Sequence, residues 1–266
     1  MAFHKMHGLG NDFVVIDARA HPVDMTPALA RALANRKTGI GCDQLILVER
    51  SDRADAAMRI FNADGGEVEA CGNAARCVAL LLGGEPVIDT HAGLISGSSD
   101  GAGATLDMGE PRFGWDVIPL DHAMDTADMP VAWEDLDHPA AVNVGNPHII
   151  FFVADSDAID LETIGPIIET DPLFPERINV NVATVTDSNA LKLHVWERGT
   201  GLTRACGTGA CATAVAALRR KLVASPVTVT LPGGDLIIEW AEGASIRMTG
   251  PAAHVFDGEI DLEAFA

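Results

Sequence analysis

The sequence predicts an α/β (α+β) fold of two pseudo-symmetric halves, each a curved, mostly antiparallel sheet or barrel around a central helix. Three observations carry this reading. Residues 70–82, ACGNAARCVALLL, and 205–217, ACGTGACATAVAA, both begin Ala-Cys-Gly and run into an Ala-rich apolar stretch. The separation of Cys71 and Cys206, 135 residues, brings other blocks of the chain into register. Alternating or continuous β-branched stretches flank both copies, as strands do.

The blocks come in order. GNDFVVID from Gly10 falls on GNPHIIFF from Gly145, and DQLILVE from Asp43 falls on INVNVAT from Ile178, which pairs Gln44 with Asn179. Laying Arg59-Ile60-Phe61 on His194-Val195-Trp196 pairs Asn62 with Glu197. Past the helix the offset grows to 140, where VIDTHAG from Val87 meets VTVTLPG from Val227 and ATLDMGEP from Ala104 meets ASIRMTGP from Ala244. Five ordered blocks with one insertion argue for an internal duplication.

FVVIDA, LILVE, AAMRIFN and VTVTL read as strands. TPALARALANR reads as a helix, with Thr26 as N-cap, Pro27 at the first helical position and Gly39 past the end. CGNAARCVALLL and CGTGACATAVAALRRKL are apolar on most sides and so belong in a core. The acidic, Pro-containing segment RFGWDVIPLDHAMDTADMP, residues 112–130, reads as a linker. The chain is divided on this basis into 1–117, carrying Cys71, and 118–255, carrying Cys206.

Of the 266 residues, 48% are hydrophobic and 21% charged, enough to bury a core in one large domain or two small ones. With 18 basic against 38 acidic side chains, the net charge is −20, which argues against nucleic-acid or anionic-membrane partners. The start lacks a signal-peptide pattern and no apolar run approaches a membrane span, so a cytoplasmic protein is expected. Five cysteines, an odd number, show neither a disulfide framework nor zinc-ligand spacing.

A cysteine in an Ala-rich helix is ordinarily a small core hydrophobe, and Cys42, Cys77 and Cys211 are read that way. Cys71 and Cys206 differ because the same repeat position bears a thiol in both halves. At a helix start, unpaired N–H groups and the dipole are expected to lower a thiol's pKa toward neutrality. Gly72 and Gly207 allow close backbone approach to a ligand. Two thiols on opposite faces of one carbon suit inversion of a stereocentre, one taking a proton and the other giving one. The pair would titrate as a unit and keep one proton. Asn11/Asn146, Gln44/Asn179 and Asn62/Glu197 are paired polar positions beside apolar stretches. Turn residues, a solvated Glu197-Arg198 pair and a core His148 remain the ordinary readings of these residues, and GLGND is only a fragment of a phosphate loop.

KMHGLGNDFVVID, GIGCDQLILVE, RIFNADGGEVEACGNAARC, GNPHIIFFV and VWERGTGLTRACGTGACA together resemble the diaminopimelate epimerase family. TLPGGDLIIEW and MTGPAAHVFDG extend the likeness toward the C-terminus. The resemblance implies an isomerase that needs no pyridoxal phosphate, metal or other cofactor. Such an enzyme interconverts LL- and meso-2,6-diaminopimelate for lysine and peptidoglycan biosynthesis, as a cytoplasmic homodimer with its site between the halves. It implies Cys71 and Cys206 as the catalytic pair, with His148 and Glu197 tuning them. Asn11, Gln44, Asn62, Gly72 and Asn73 bind substrate from the first half. Asn146, Asn179, Glu197, Arg198, Gly207 and Thr208 do so from the second. A tail from about 256 to 266 is expected to return to the first half. Relatives often carry Tyr where this chain has Phe256, which puts a dimer contact through that hydroxyl in doubt. A proline or hydroxyproline racemase is the nearest rival, and a duplicated binding or redox-sensing module is another.

Overall fold

The computed structural model describes residues 1–68, 71–99 and 101–265. The chain forms two compact units, Met1–Asp107 with Thr249–Ala266, and Met108–Met248.

The first unit runs β1 (Ala2–Gly8), β2 (Asn11–Asp17), α1 (Pro27–Ala34), β3 (Gln44–Glu49), β4 (Ala56–Asn62), β5 (Glu67–Val68), α2 (Gly72–Leu82), β6 (Val87–Thr90), β7 (Gly93–Ser99) and β8 (Gly103–Asp107). Helix α1 starts as the sequence predicts, with Thr26 Oγ1 accepting from the Leu29 N–H at 3.2 Å and Pro27 opening the first turn. It crosses between β2 and β3, which are parallel; β3 and β4 are antiparallel, and β4 and β6 parallel. Helix α2 packs on β1, β2, β7 and β8 and buries Asn73 through Ala79.

The second unit runs β9 (Ala132–Trp133), β10 (Leu136–Asp137), β11 (Ala140–Asn143), β12 (Pro147–Phe152), α3 (Leu161–Glu169), β13 (Asn179–Asp187), β14 (Ala190–Glu197), β15 (Gly201–Thr203), α4 (Gly207–Arg219), β16 (Val227–Leu231) and β17 (Gly234–Glu239). Here β12 and β13 are parallel, β13 and β14 antiparallel, and β14 and β16 parallel. Helix α4 packs on β11 to β14, β16 and β17. Ala210, Ala212, Ala214, Ala216 and Ala217 are all buried, and such small side chains let strands approach it on many sides.

The duplication is visible in the pairing itself. Phe13 faces Gln44 and Leu45 faces Phe61 in the first unit; His148 faces Asn179 and Val180 faces Trp196 in the second. Each of these equivalents is 135 residues apart. In the first block beyond the helices the offset needs correcting. The hairpins close at Thr90–Gly93 and Leu231–Gly234, which sets the offset at 141 rather than 140. Part of the inserted length lies in α4, 13 residues against 11 in α2. The second unit also has α3 in the place of α1, an equivalence the sequence comparison did not reach.

The segment 112–130 is not a linker. Ile118, Leu120 and Met129 are buried with Ile149, Phe151, Ile164 and Val180 in the second unit's core. The apolar residues between its acids and prolines bind it there, and the chain divides after Asp107, before this segment, rather than at 117/118. The return falls within β18 (Arg247–Pro251), and β19 (Ala253–Glu259) then pairs with β1. Ile260, Leu262 and Phe265 pack against the first unit's core.

Gly39 shows how tightly the α1 exit is folded, since a Cβ there would lie 2.2 Å from the Ala32 carbonyl oxygen and 2.7 Å from that of Leu33. Both obstacles are backbone. Gly39→Ala is expected to cost about 1–3 kcal/mol, read in urea unfolding as a lower midpoint at unchanged slope.

Candidate active site

Each unit gathers polar side chains at one end of three neighbouring strands. In the first unit, Asn11 and Gln44 open the parallel strands β2 and β3, and Asn62 closes the antiparallel β4. In the second, Asn146 immediately precedes β12, Asn179 opens β13 and Glu197 closes β14. A cysteine is the N-cap of the following buried helix in both, Cys71 for α2 and Cys206 for α4. The strand register therefore produces the same half-site twice.

In the first half-site Cys71 Sγ lies 3.8 Å from Asn11 Oδ1. Asn73 Nδ2 donates to the same oxygen at 3.3 Å, and Asn73 Oδ1 accepts from the fully buried Arg76 at 2.8 Å. Asn11 Nδ2 in turn donates to Asp43 at 3.1 Å, and Arg36 bridges Asp43 and Asp12 at 2.7 and 2.5 Å. Gln44 Nε2 donates to Asn62 Oδ1 at 2.9 Å. Gln44 Oε1 is buried and has no hydrogen-bond partner. An unsatisfied acceptor costs about 1–3 kcal/mol, so a donor arriving with a ligand is favoured there.

In the second half-site Cys206 is 4% exposed and its sulfur accepts from the Gly209 N–H at 3.3 Å, with Thr208 Oγ1 at 3.5 Å. Glu197 accepts a hydrogen bond from this thiol and another from Thr203 Oγ1, the latter at 2.6 Å. The expected lowering of this thiol's pKa is overturned. Burial pushes Cys206 well above the ordinary thiol range and the Glu197 charge adds to it, outweighing the Thr208 and Gly209 hydrogen bonds. Burial also raises the Glu197 carboxyl, against the bonds from Thr203 and Cys206. Cys206 therefore rests as a thiol. Cys42 and Cys77 are pushed up by burial to about 11 and about 12, which fits their reading as core residues.

His148 is fully buried, and burial drives its pKa down to about 3, with the Arg198 charge adding to the effect. It is neutral at physiological pH. Asn181 Nδ2, held by the Ile149 carbonyl at 3.0 Å, donates to His148 Nδ1 at 3.1 Å. That assigns the proton to Nε2, which donates to Asn146 Oδ1 at 3.0 Å. Asn146 Nδ2 then donates to Thr208 Oγ1 at 3.3 Å. Within its own unit, His148 reaches the cysteine only through Asn146 and Thr208.

Asn179 serves the backbone: Nδ2 donates to the Pro147 carbonyl at 2.8 Å and Oδ1 accepts from the Arg198 N–H at 2.9 Å. The loop bearing Arg198 is also held by Glu169, which accepts from the Gly199 N–H at 3.0 Å and the Trp196 indole at 2.7 Å. The Arg198 side chain is exposed, with Nη1 donating to the Glu176 carbonyl at 2.9 Å. Sequence reasoning missed Asn181, Thr203 and Glu169. The first could have been found, since it stands two residues after Asn179 and so shares its face of β13; Thr203 and Glu169 act through tertiary contacts that leave no local signal.

The sequence model of the diaminopimelate epimerase family matches residues 3–114 and 140–255. Diaminopimelate epimerase of Rhizorhabdus wittichii is 69% identical over 264 residues, spanning 99% of this chain and 96% of that protein. The Zymomonas mobilis protein of the same name is 58% identical across 100% of this chain and 99% of its own. Among solved structures, a phenazine biosynthesis protein of the PhzF family from Enterococcus faecalis superposes with a TM-score of 0.72 at 14% identity, covering 98% of both chains. A hydroxyproline epimerase from Agrobacterium vitis gives 0.65 at 18% identity, over 98% of this chain and 90% of its own. At such identities these structures share the fold.

Glu197→Gln removes the negative charge that helps hold Cys206 protonated. The Cys206 thiol should then titrate at lower pH than in the parent, measured by mass-resolved alkylation against pH in a Cys71→Ala background. An unchanged or raised midpoint contradicts the assigned electrostatics.

Proposed function

Because the chain belongs to the diaminopimelate epimerase family, we propose that it interconverts LL- and meso-2,6-diaminopimelate by proton transfer at one α-carbon, using Cys71 and Cys206. The duplicated half-site carries this reading: a thiol at the start of a buried helix, beside a row of polar strand ends, occurs once in each unit.

The step needs one thiolate and one thiol. The thiolate takes the α-proton and becomes a thiol, while the other thiol gives its proton to the opposite face and becomes the thiolate. Cys206, a thiol at rest beside Glu197, is the proton donor of the resting enzyme, and Cys71 the base. Gln44 Oε1 accepts from the substrate ammonium, and the amides that begin α2 and α4 receive the carboxylate of the reacting centre. Arg198 can grip the distal carboxylate with two parallel N–H groups, which favours a substrate with two amino-acid ends.

No helix among the described residues is long and apolar enough to cross a membrane. A cytoplasmic setting and a homodimer complete the reading. For the dimer, the exposed Val255 and Phe256 on β19 supply apolar surface.

Cys71→Ala and Cys206→Ala should each lower epimerisation by roughly 10²–10⁴-fold or more in folded protein. The direct assay is deuterium uptake at the α-carbon of LL-diaminopimelate in deuterated buffer with no cofactor added. Absence of uptake by the reduced parent enzyme, or full turnover in either alanine variant, refutes the two-thiol mechanism. Proline and hydroxyproline, which have no distal carboxylate, should show no comparable exchange.

A further inference from the structure

A second cluster of chemistry-bearing side chains lies on the first unit, where the returning strand β19 meets β1. His4 Nδ1 is 2.5 Å from Asp257 Oδ1, and His254 Nε2 is 2.7 Å from the same oxygen. One candidate ligand atom from each of the three residues lies within 4.8 Å of the other two.

The grouping is built by a flaw in the ladder. His4 pairs with Asp257, Lys5 with Phe256 and Met6 with His254, so the register skips Val255. In a regular strand, side chains three residues apart point to opposite faces. The extra residue reverses the alternation and turns His254 to the face of Asp257, re-aiming a side chain as bulges do. Without it the two histidines could not share one carboxylate.

We propose that His4, His254 and Asp257 form a site for a divalent transition-metal ion such as zinc, with one imidazole nitrogen from each histidine and one carboxylate oxygen as ligands. Two imidazoles and a carboxylate are a donor set that such ions accept, and three protein ligands leave a fourth position for water. Around a tetrahedral zinc ion with bonds of about 2.0–2.2 Å, donor atoms stand about 3.4 Å apart. The two nitrogen–oxygen spacings, 2.5 and 2.7 Å, open to this when the carboxylate withdraws by about 1 Å, which an exposed side chain can do. The ion takes the place of the N–H protons now shared with Asp257, and each neutral imidazole then carries its proton on the other ring nitrogen. It joins strands from the two ends of the chain, so binding stabilises the folded state by mass action.

The test is titration of tag-free Cys71→Ala/Cys206→Ala protein with zinc ion alone, because the two active-site thiols are themselves soft ligands. One ion per chain is expected, together with a rise in Tm that a chelator reverses. His4→Ala and His254→Ala should each weaken this binding at least tenfold. His254→Gln, which keeps a polar side chain of similar size, should weaken it as much, with unchanged circular dichroism showing that the fold is retained. No stoichiometric binding, or undiminished binding in either histidine variant, overturns the proposal.

Discussion

A helix enclosed by its own sheet has its first-turn amides unpaired at one end, and in both units that end carries a cysteine. Helices α2 and α4 are accepted into their sheets because their side chains are small and apolar on most sides. That same burial leaves little water to satisfy the N-terminal N–H groups. In the second unit the Cys206 sulfur takes part of that role by accepting from Gly209. A sulfur is a poor substitute for the oxygen of Ser or Asp at this position. Chemistry explains the choice better than stability does.

The repeat is close in backbone and unequal in charge. Glu197 occupies the position that Asn62 holds in the first unit, and His148 the position of Phe13. Asn62 is neutral and engaged with Gln44, whereas Glu197 stands against the thiol and opposes its ionisation. Two identical half-sites would give neither thiol a preferred proton. Divergence at one strand end makes the Cys206 proton the better held, which suits the donor role that the proposed reaction gives it. The net charge of −20 has no part in this; the deciding charges are local.

Much of this architecture was legible in the chain. Thr26-Pro27 announced α1, Ala-rich runs announced the buried helices, and the 135-residue offset anticipated the pairing of Gln44 and Asn179 with their neighbours. What failed did so for physical reasons. Helix α3 contains Pro166 after Gly165, two weak helix formers that disguise its pattern. Segment 112–130 looked like a linker because its acids and prolines outnumber the few apolar residues that anchor it. A thiol at a helix start can be seen in a sequence, but the depth of its burial and the carboxylate beside it cannot. The sign of the Cys206 shift was therefore beyond local reasoning.

Equivalent amides have also acquired different duties. Both ends of the Asn179 side chain are committed to backbone, tying β12 to the loop that carries Arg198. Gln44, its counterpart, uses only its nitrogen and leaves a buried oxygen without a partner. A buried acceptor of this kind is a local cost of about 1–3 kcal/mol. In the proposed reaction a cationic donor arriving with the substrate recovers that cost. One copy of the repeat thus ties down the loop that bears an arginine, while the other leaves a buried acceptor open, which in the proposed reaction takes the substrate ammonium.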